Sequence, residues 1–350
     1  MKKAAIIGAG VMGTAMSWPL SDNGFEVRLV GTHLDHDIIT YCKENGIHPK
    51  LNRRLPENVI PYYLDEISTA LKGTDFLVNG VNSLGIHWVT KTLSSFIKPG
   101  DKIISVTKGI EVDEHGGLLI LPDALRKGFP KKFQDQVAIA AIGGPCIASE
   151  LAGRQPTCVV FAAEDIHTAT YFKEALQTDY YHVWVTENLV AMEISAALKN
   201  AYAMGVGLAE GILEKRGGVE KCGFSMYNLA AALFAQAVNE IYKMIQITGV
   251  GDSFSPDLPV AGDLFVTCQK GRSYRLGILL GKGISYLQAK EMMQGETLEA
   301  ALAVIQMEKV LASLKSQGRV SDADFPLMKL LINVICHQKP VQIRLKDFRF

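Results

Sequence analysis

Lys199 stands among small residues, in the run Glu193-Ile194-Ser195-Ala196-Ala197-Leu198-Lys199-Asn200-Ala201-Tyr202. Helical spacing puts it in line with Met192, Ser195, Ala196 and Ala203. Small neighbours leave room for a ligand beside the amine, and removal from water lowers a lysine pKa from its free value of about 10.4. That is the tuning a general acid/base needs. A second lysine nearby would push the same way, and Lys108 is the candidate. It follows the run Lys102-Ile103-Ile104-Ser105-Val106-Thr107, and the C-terminal end of a parallel strand faces the crevice where ligands bind. Both residues also suit blander readings: a surface lysine on an alanine-rich helix, and a solvated loop lysine.

A third set is Asp263-Leu264-Phe265-Val266-Thr267-Cys268-Gln269-Lys270-Gly271-Arg272-Ser273. Asp263 and Thr267 are four apart and share one helical face. Gly271, Arg272 and Ser273 offer backbone N–H groups, a guanidinium fork and a hydroxyl, which together make a phosphate-sized anion site. The alternative is a glycine that caps a helix C-terminus, followed by a surface arginine.

The elements that must hold these groups follow from apolar periodicity. Lys3-Ala4-Ala5-Ile6-Ile7 reads as a buried strand, and Gly8-Ala9-Gly10-Val11-Met12-Gly13 as a tight turn into a helix. A GxGxxG between strand and helix points to a dinucleotide: Gly8 for the turn, Gly10 for approach of the pyrophosphate, Gly13 for packing of helix on strand. The helix start then faces the anion with free N–H groups. Further strands fall at 26–30, 75–81, 102–106, 137–142, 158–162 and 182–185, with helical segments between several of them. That alternation predicts a doubly wound, mainly parallel sheet. Pro19 lies inside the first helix and must kink or shorten it. After residue 187 strand signals stop. Helices are expected over 189–215, 224–248, 261–270, 286–294, 299–317 and 324–337. The end of the second strand, Gly31-Thr32-His33-Leu34-Asp35, gives no clean sign of coenzyme choice. Thr32 or His33 could meet a 2′-phosphate, and the run also reads as an ordinary loop.

Over 350 residues, 48% of them hydrophobic, two domains are expected. Thirty-six basic residues balance thirty-six acidic ones, so no global field draws nucleic acid or an anionic membrane. The six cysteines are scattered, with no CxxC and no metal-like spacing. With the first strand starting at Lys3 and no apolar run of membrane length, a cytoplasmic protein is expected.

Taken together, these motifs resemble the soluble NAD(P)-dependent sn-glycerol-3-phosphate dehydrogenases, nearly end to end. The resemblance rests on the Gly8–Gly13 turn, on Thr107-Lys108-Gly109-Ile110-Glu111, and on Gly143-Gly144-Pro145 with Ala148 and Glu150. It continues through Glu193 and Ala197-Leu198-Lys199-Asn200, Asp263-Leu264 with Thr267-Cys268, Gly271-Arg272, and Gln294-Gly295. The run from Gly31 to Asp35 looks like the archaeal branch. The resemblance implies an α/β, Rossmann-like doubly wound parallel sheet over residues 1–187. An all-helical substrate domain of the 6-phosphogluconate-dehydrogenase kind would follow over 188–350.

It also implies roles. Lys199 would be the acid/base at the C2 oxygen, Lys108 would polarise that oxygen, and Asp263, Asn200 and Thr267 would orient the lysine and the substrate hydroxyls. Arg272, with Gly271 and Ser273, would hold the phosphate. The NAD or NADP cofactor would meet Gly8, Gly10, Val11, Met12, Gly13, Thr32, His33, Lys108, Ala148, Arg272 and Gln294. The implied reaction is reversible reduction of dihydroxyacetone phosphate, in a cytoplasmic enzyme expected to form a homodimer. Three runs depart from the family: Ser273 where asparagine is common, Asn228-Leu229-Ala230-Ala231 in place of Asn-Thr-Lys-Ala, and Pro259-Val260-Ala261-Gly262 with fewer glycines before Asp263. Another ketose phosphate as substrate, a hydroxy-acid substrate, or a catalytically silent NAD(P) sensor stay open as alternatives.

Overall fold

The computed structural model describes residues 1–113, 116–249 and 254–349. Its chain forms two compact units, Met1–Lys108 with Ile120–Met192, and Gly109–Leu119 with Glu193–Phe350.

The first unit is built on an eight-stranded sheet. Its strands are β1 (Lys3–Ile7), β2 (Glu26–Val30), β3 (Val59–Tyr62), β4 (Phe76–Asn79), β5 (Lys102–Ser105), β6 (Ala138–Gly143), β7 (Thr157–Ala163) and β8 (Tyr181–Thr186). They lie in the order β8-β7-β6-β5-β4-β1-β2-β3, parallel from β6 through to β3. The strand β7 runs antiparallel to β6, and β8 follows β7, so the last pair reverses direction. Continuous apolar runs such as Ala4-Ala5-Ile6-Ile7, wholly buried, are what a sheet covered on both faces requires. Phe76 anchors one side of this core, edge-on to Phe25, Tyr171 and Phe172. Arg28, buried within β2, is satisfied by Glu26 and by the carbonyls of Ala70 and Lys72 at 3.0 and 2.7 Å. It thereby caps the helix Ile67–Ala70. Three helices of this unit follow β1 and β2: α1 (Val11–Ala15), α2 (Ser17–Asp22) and α3 (His36–Asn45). The break between α1 and α2 falls at Met16, because Pro19 has no N–H for the carbonyl of Ala15. A fourth, α4 (Ala148–Ala152), packs on α1.

Among its described residues the second unit is helical apart from one strand pair, Ile110–Val112 with Leu118–Ile120, whose first strand packs on the helix Glu299–Ser316. Its helices are α5 (Leu189–Lys215, which begins in the first unit), α6 (Tyr227–Ile247), α7 (Asp263–Thr267), α8 (Arg272–Gly281), α9 (Tyr286–Met292), α10 (Glu299–Ser316) and α11 (Pro326–Ile335). A π-helical turn, Asp257–Gly262, leads into α7. The pair α5 and α8 lie side by side at backbone contact. A Cβ on Gly277 would stand 2.0 Å from the carbonyl oxygen of Met204, and one on Gly281 2.5 Å from that of Leu208. Reciprocally, a Cβ on Gly207 would meet Tyr274 O at 2.3 Å and one on Gly211 would meet Ile278 O at 2.2 Å. Four glycines therefore set the register in which Asn200 on α5 faces Ser273 on α8. Elsewhere in this unit the buried Glu240 carboxylate accepts from Tyr202 Oη, Gln236 Nε2, and the N–H groups of Leu327 and Met328 at 2.7–2.9 Å. The last two are orphan donors at the start of α11. No helix among the described residues is long and apolar enough to cross a membrane.

Candidate active site

In the first unit the turn after β1 is packed backbone to backbone. Gly8 has φ +109°, and a Cβ there would lie 2.9 Å from the carbonyl carbon of Gly80. A Cβ on Gly13 would fall 2.7 Å from Gly8 O, and one on Gly80 would fall 3.0 Å from the Cα of Gly13. Gly8, Gly13 and Gly80 thus press the turn, α1 and the end of β4 together at the point where the strand order reverses. Gly10 is different: only Gly80 O, at 3.9 Å, comes near its missing Cβ. The open side of the turn is therefore at Gly10, next to the exposed Val11 and half-buried Met12 whose N–H groups start α1. A pyrophosphate fits that cradle.

Two side chains clamp Ala9 from behind. Its N–H donates to Asp35 Oδ2 at 3.1 Å, and its carbonyl accepts from His48 Nε2 at 2.9 Å. The Nδ1 of His48 accepts the Leu51 N–H at 3.1 Å, which places the ring proton on Nε2. His48 is fully buried, and desolvation lowers its pKa below the ordinary 6.5. Asp35 Oδ2 also accepts from the Thr32 N–H and Thr32 Oγ1 at 2.9 and 2.8 Å. Asp35, the residue before α3, is thus turned inward to brace the glycine turn, and Thr32 with it. His33 is exposed and tilts against Trp88, ring centroids 5.1 Å apart. Ala148 opens α4, against α1. At the ends of β4 and β5, Asn79 Nδ2 donates to Ser105 Oγ and Thr107 Oγ1, and Thr107 Oγ1 donates to Val81 O at 2.7 Å. This buried knot fixes the backbone from which the half-buried Lys108 projects.

In the second unit Lys199 Nζ donates to Asp263 Oδ1. The two side chains are 9% and 0% exposed, so this ion pair is inside the protein. Thr267 Oγ1, one turn on, donates to the Asp263 carbonyl at 2.6 Å. Gly271 does not end a helix; it is the N-cap of α8 at φ −63°, ψ 168°, and the left-handed residue before it is Lys270 at φ +58°. The C-cap alternative is therefore excluded, and Arg272 is the first residue of α8. From there Arg272 Nη2 donates to Glu299 Oε2 at 2.6 Å, and Asn200 Nδ2 reaches the same oxygen at 3.4 Å. Ser273 Oγ donates to Asn200 Oδ1 at 3.3 Å. Arg275 pairs with Glu296 at 2.8 Å, anchoring the segment before α10 to α8. Gln294 lies exposed just beyond α9.

The structure thus gathers Lys199, Asn200, Asp263, Thr267, Gly271, Arg272 and Ser273 within the second unit. It gathers Gly8, Gly10, Val11, Met12, Gly13, Thr32 and Ala148 around the turn of the first. Sequence reasoning missed Gly80, Asp35 and His48 behind the turn, and Glu299 on Arg272. Gly80 is legible as a glycine at the end of an apolar run, and Asp35 closes the run read for coenzyme choice; His48 and Glu299 carry no local signal.

Family models and relatives match the chain over most of its length. A family model described as the N-terminus of NAD-dependent glycerol-3-phosphate dehydrogenase matches residues 3–169, and one described as its C-terminus matches residues 188–346. The chain is 34% identical over 290 residues to an NADP(+)-dependent glycerol-3-phosphate dehydrogenase of Archaeoglobus fulgidus, covering 83% of each chain. It is 27% identical over 342 residues to a glycerol-3-phosphate dehydrogenase [NAD(P)+] of Oceanobacillus iheyensis, covering 97% of this chain and 91% of the relative. In fold it is similar to the crystal structure of a glycerol-3-phosphate dehydrogenase from Coxiella burnetii. That match has TM-score 0.81 at 23% identity and covers 99% of this chain and 98% of the other.

Proposed function

The chain belongs to the NAD-dependent glycerol-3-phosphate dehydrogenase family, and from that premise we propose how its own residues carry the reaction. The reaction is reversible reduction of dihydroxyacetone phosphate by NAD(P)H to sn-glycerol 3-phosphate. The turn at Gly8, Gly10 and Gly13 receives the dinucleotide, with Val11 and Met12 giving N–H groups to its pyrophosphate. Thr32, His33, Ala148 and Gln294 are further cofactor contacts. When bound, the nicotinamide supplies or accepts the hydride.

Lys199 gives its proton to the C2 oxygen during reduction and takes it back during oxidation. Asp263 holds the ammonium in place, since a buried charge with no partner is costly. Thr267, bonded to the Asp263 carbonyl, steadies that turn and faces the substrate hydroxyls. Arg272, the Gly271 region and Ser273 hold the phosphate, and Asn200 holds a hydroxyl. Lys108 polarises the reacting oxygen. The observation that carries this reading is the buried Lys199–Asp263 pair, one residue along the chain from the Asn200 that Ser273 contacts.

Substituting Lys199→Ala is expected to lower kcat by about 10²–10⁴ while leaving NAD(P)H binding, read by fluorescence titration, unchanged. Normal turnover in that variant would refute the assignment. NADH and NADPH oxidation with dihydroxyacetone phosphate, beside a panel of longer ketose phosphates, settles substrate and coenzyme together. The balanced charge and scattered cysteines support a cytoplasmic enzyme. The exposed Val219, Phe224 and Tyr227 around the start of α6 support a homodimer, which light scattering tests.

A further inference from the structure

We propose that Glu299 is the built-in competitor for the substrate's phosphate, and that it sets the affinity of the anion site. The inference rests on the reading of Arg272 as the phosphate-holding residue. A single carboxylate oxygen of Glu299 receives both the Arg272 guanidinium, at 2.6 Å, and the Asn200 amide, at 3.4 Å. These are two donors that the reaction assigns to substrate oxygens. In the free protein Arg272 Nη2 and Asn200 Nδ2 already face an oxygen of like charge, so a phosphate that takes these two atoms must displace it. A carboxylate left beside the incoming dianion would also repel it.

The setting gives Glu299 somewhere to go. It is the first residue of α10, and the N-cap of that helix, Leu298, provides no side-chain bond to the N–H groups of the first turn. An acidic residue in the first turn is favoured by those N–H groups and by the helix dipole. Released from Arg272, the carboxylate can turn back on its own helix start. The Arg275–Glu296 pair keeps the preceding segment fixed to α8 while this happens. Glu299 thus has two resting places for its charge, and the arriving phosphate selects between them. Arg272 and Glu299 are 45% and 21% exposed, so the exchange takes place where a ligand can reach.

The experiment is steady-state kinetics with dihydroxyacetone phosphate on the full-length wild type, Glu299→Gln, Glu299→Asp and Arg272→Met. Inorganic phosphate serves as competitive inhibitor, and a thermal melt is run on each variant. Glu299→Gln removes the charge. Glu299→Asp keeps the charge at the helix start but withdraws it from Arg272. Both are expected to lower KM, by up to about fivefold for a pair this exposed, to lower the phosphate Ki in step, and to leave kcat within about twofold. Unchanged or raised KM in Glu299→Gln overturns the proposal. So does wild-type KM in Glu299→Asp beside a lowered KM in Glu299→Gln, which would trace the effect to charge at the helix start. Arg272→Met must raise KM; if it does not, the reading of Arg272 itself has failed, and that outcome is separable from the others.

Discussion

The glycine turn of the first unit and the Lys199–Asp263 pair of the second, which we assign to cofactor and substrate, are built by opposite means. The atoms nearest the missing Cβ positions of Gly8, Gly13 and Gly80 are all backbone, so the turn packs as it does because side chains are absent. Around Lys199 and Asp263 the site consists of two charged side chains kept from water by everything near them. A surface made of backbone tolerates no added atom where it is packed, and is indifferent where it is open. A surface made of buried charge tolerates a change in shape better than the loss of one partner.

The largest effect that separates the two is electrostatic. Asp263→Ala removes the carboxylate that Lys199 contacts inside the protein and is expected to destabilise the second unit by about 3–5 kcal/mol. The double variant Lys199→Met/Asp263→Leu should recover most of that stability in urea unfolding and still be inactive, because replacing a whole buried pair is often neutral. Recovery of activity with stability would break the comparison.

Next in size is the packed glycine. Gly80→Ala is expected to cost about 1–3 kcal/mol by forcing backbone apart, and to weaken NAD(P)H binding through the distorted turn. Gly10→Ala, by contrast, should melt as the wild type does and still lose cofactor affinity, because its Cβ would fill only the open side of the turn. Equal melting losses in the two variants would show that the open side is not where the structure puts it.

A smaller effect follows pH. Burial lowers the pKa of His48 below 6.5, so between 6.5 and that lower value the unfolded chain takes up a proton that the folded chain refuses. The His48 contribution is therefore complete above pH 6.5 and is lost as pH falls through the folded-state pKa. His48→Gln, which can keep the bond to Ala9 O, should flatten the fall in unfolding free energy between pH 7.5 and 5 (assay conditions set at about these values). The smallest effect is at Asp324, where Lys243 holds the carboxyl down to about 2. Its contribution is present above the ordinary 3.8 and lost as pH falls toward about 2. With the pair partly exposed, Asp324→Asn should cost no more than about 1 kcal/mol at neutral pH and converge with the wild type in strong acid.

Much of this was legible in the sequence wherever one local signal decides. The strands Lys3–Ile7 and Glu26–Val30 and the helix Leu189–Lys215 fall where apolar pattern puts them, to the residue. The helix Arg272–Gly281 was not foreseen, because Gly277 and Gly281 lower helix propensity; their spacing of four is a packing signal that only the partner helix explains. The edge strand Val59–Tyr62 is masked by Pro61 and by the exposed Ile60. The reversal of β7 and β8 leaves no trace in side-chain alternation, which is the same in either direction. For the site, residue types pointed to Lys199, Asp263 and Arg272, and the resemblance implied that Asp263 orients the lysine, as the buried pair does. Arg272 with Glu299 and Ala9 with His48 did not follow from the sequence, because packing alone brings them together.

The strand pair Ile110–Val112 and Leu118–Ile120 has a consequence for how this protein could be taken apart. The chain passes between its two units three times, after Lys108, after Leu119 and after Met192, rather than once. A cut near residue 187 would yield a first fragment with a strand pair whose packing partner, the helix Glu299–Ser316, is on the other piece. The units are thus not interchangeable modules in the sense that a gene fusion or a domain swap assumes. Any recombination that exchanged one of them would have to carry the short insertion along with the second.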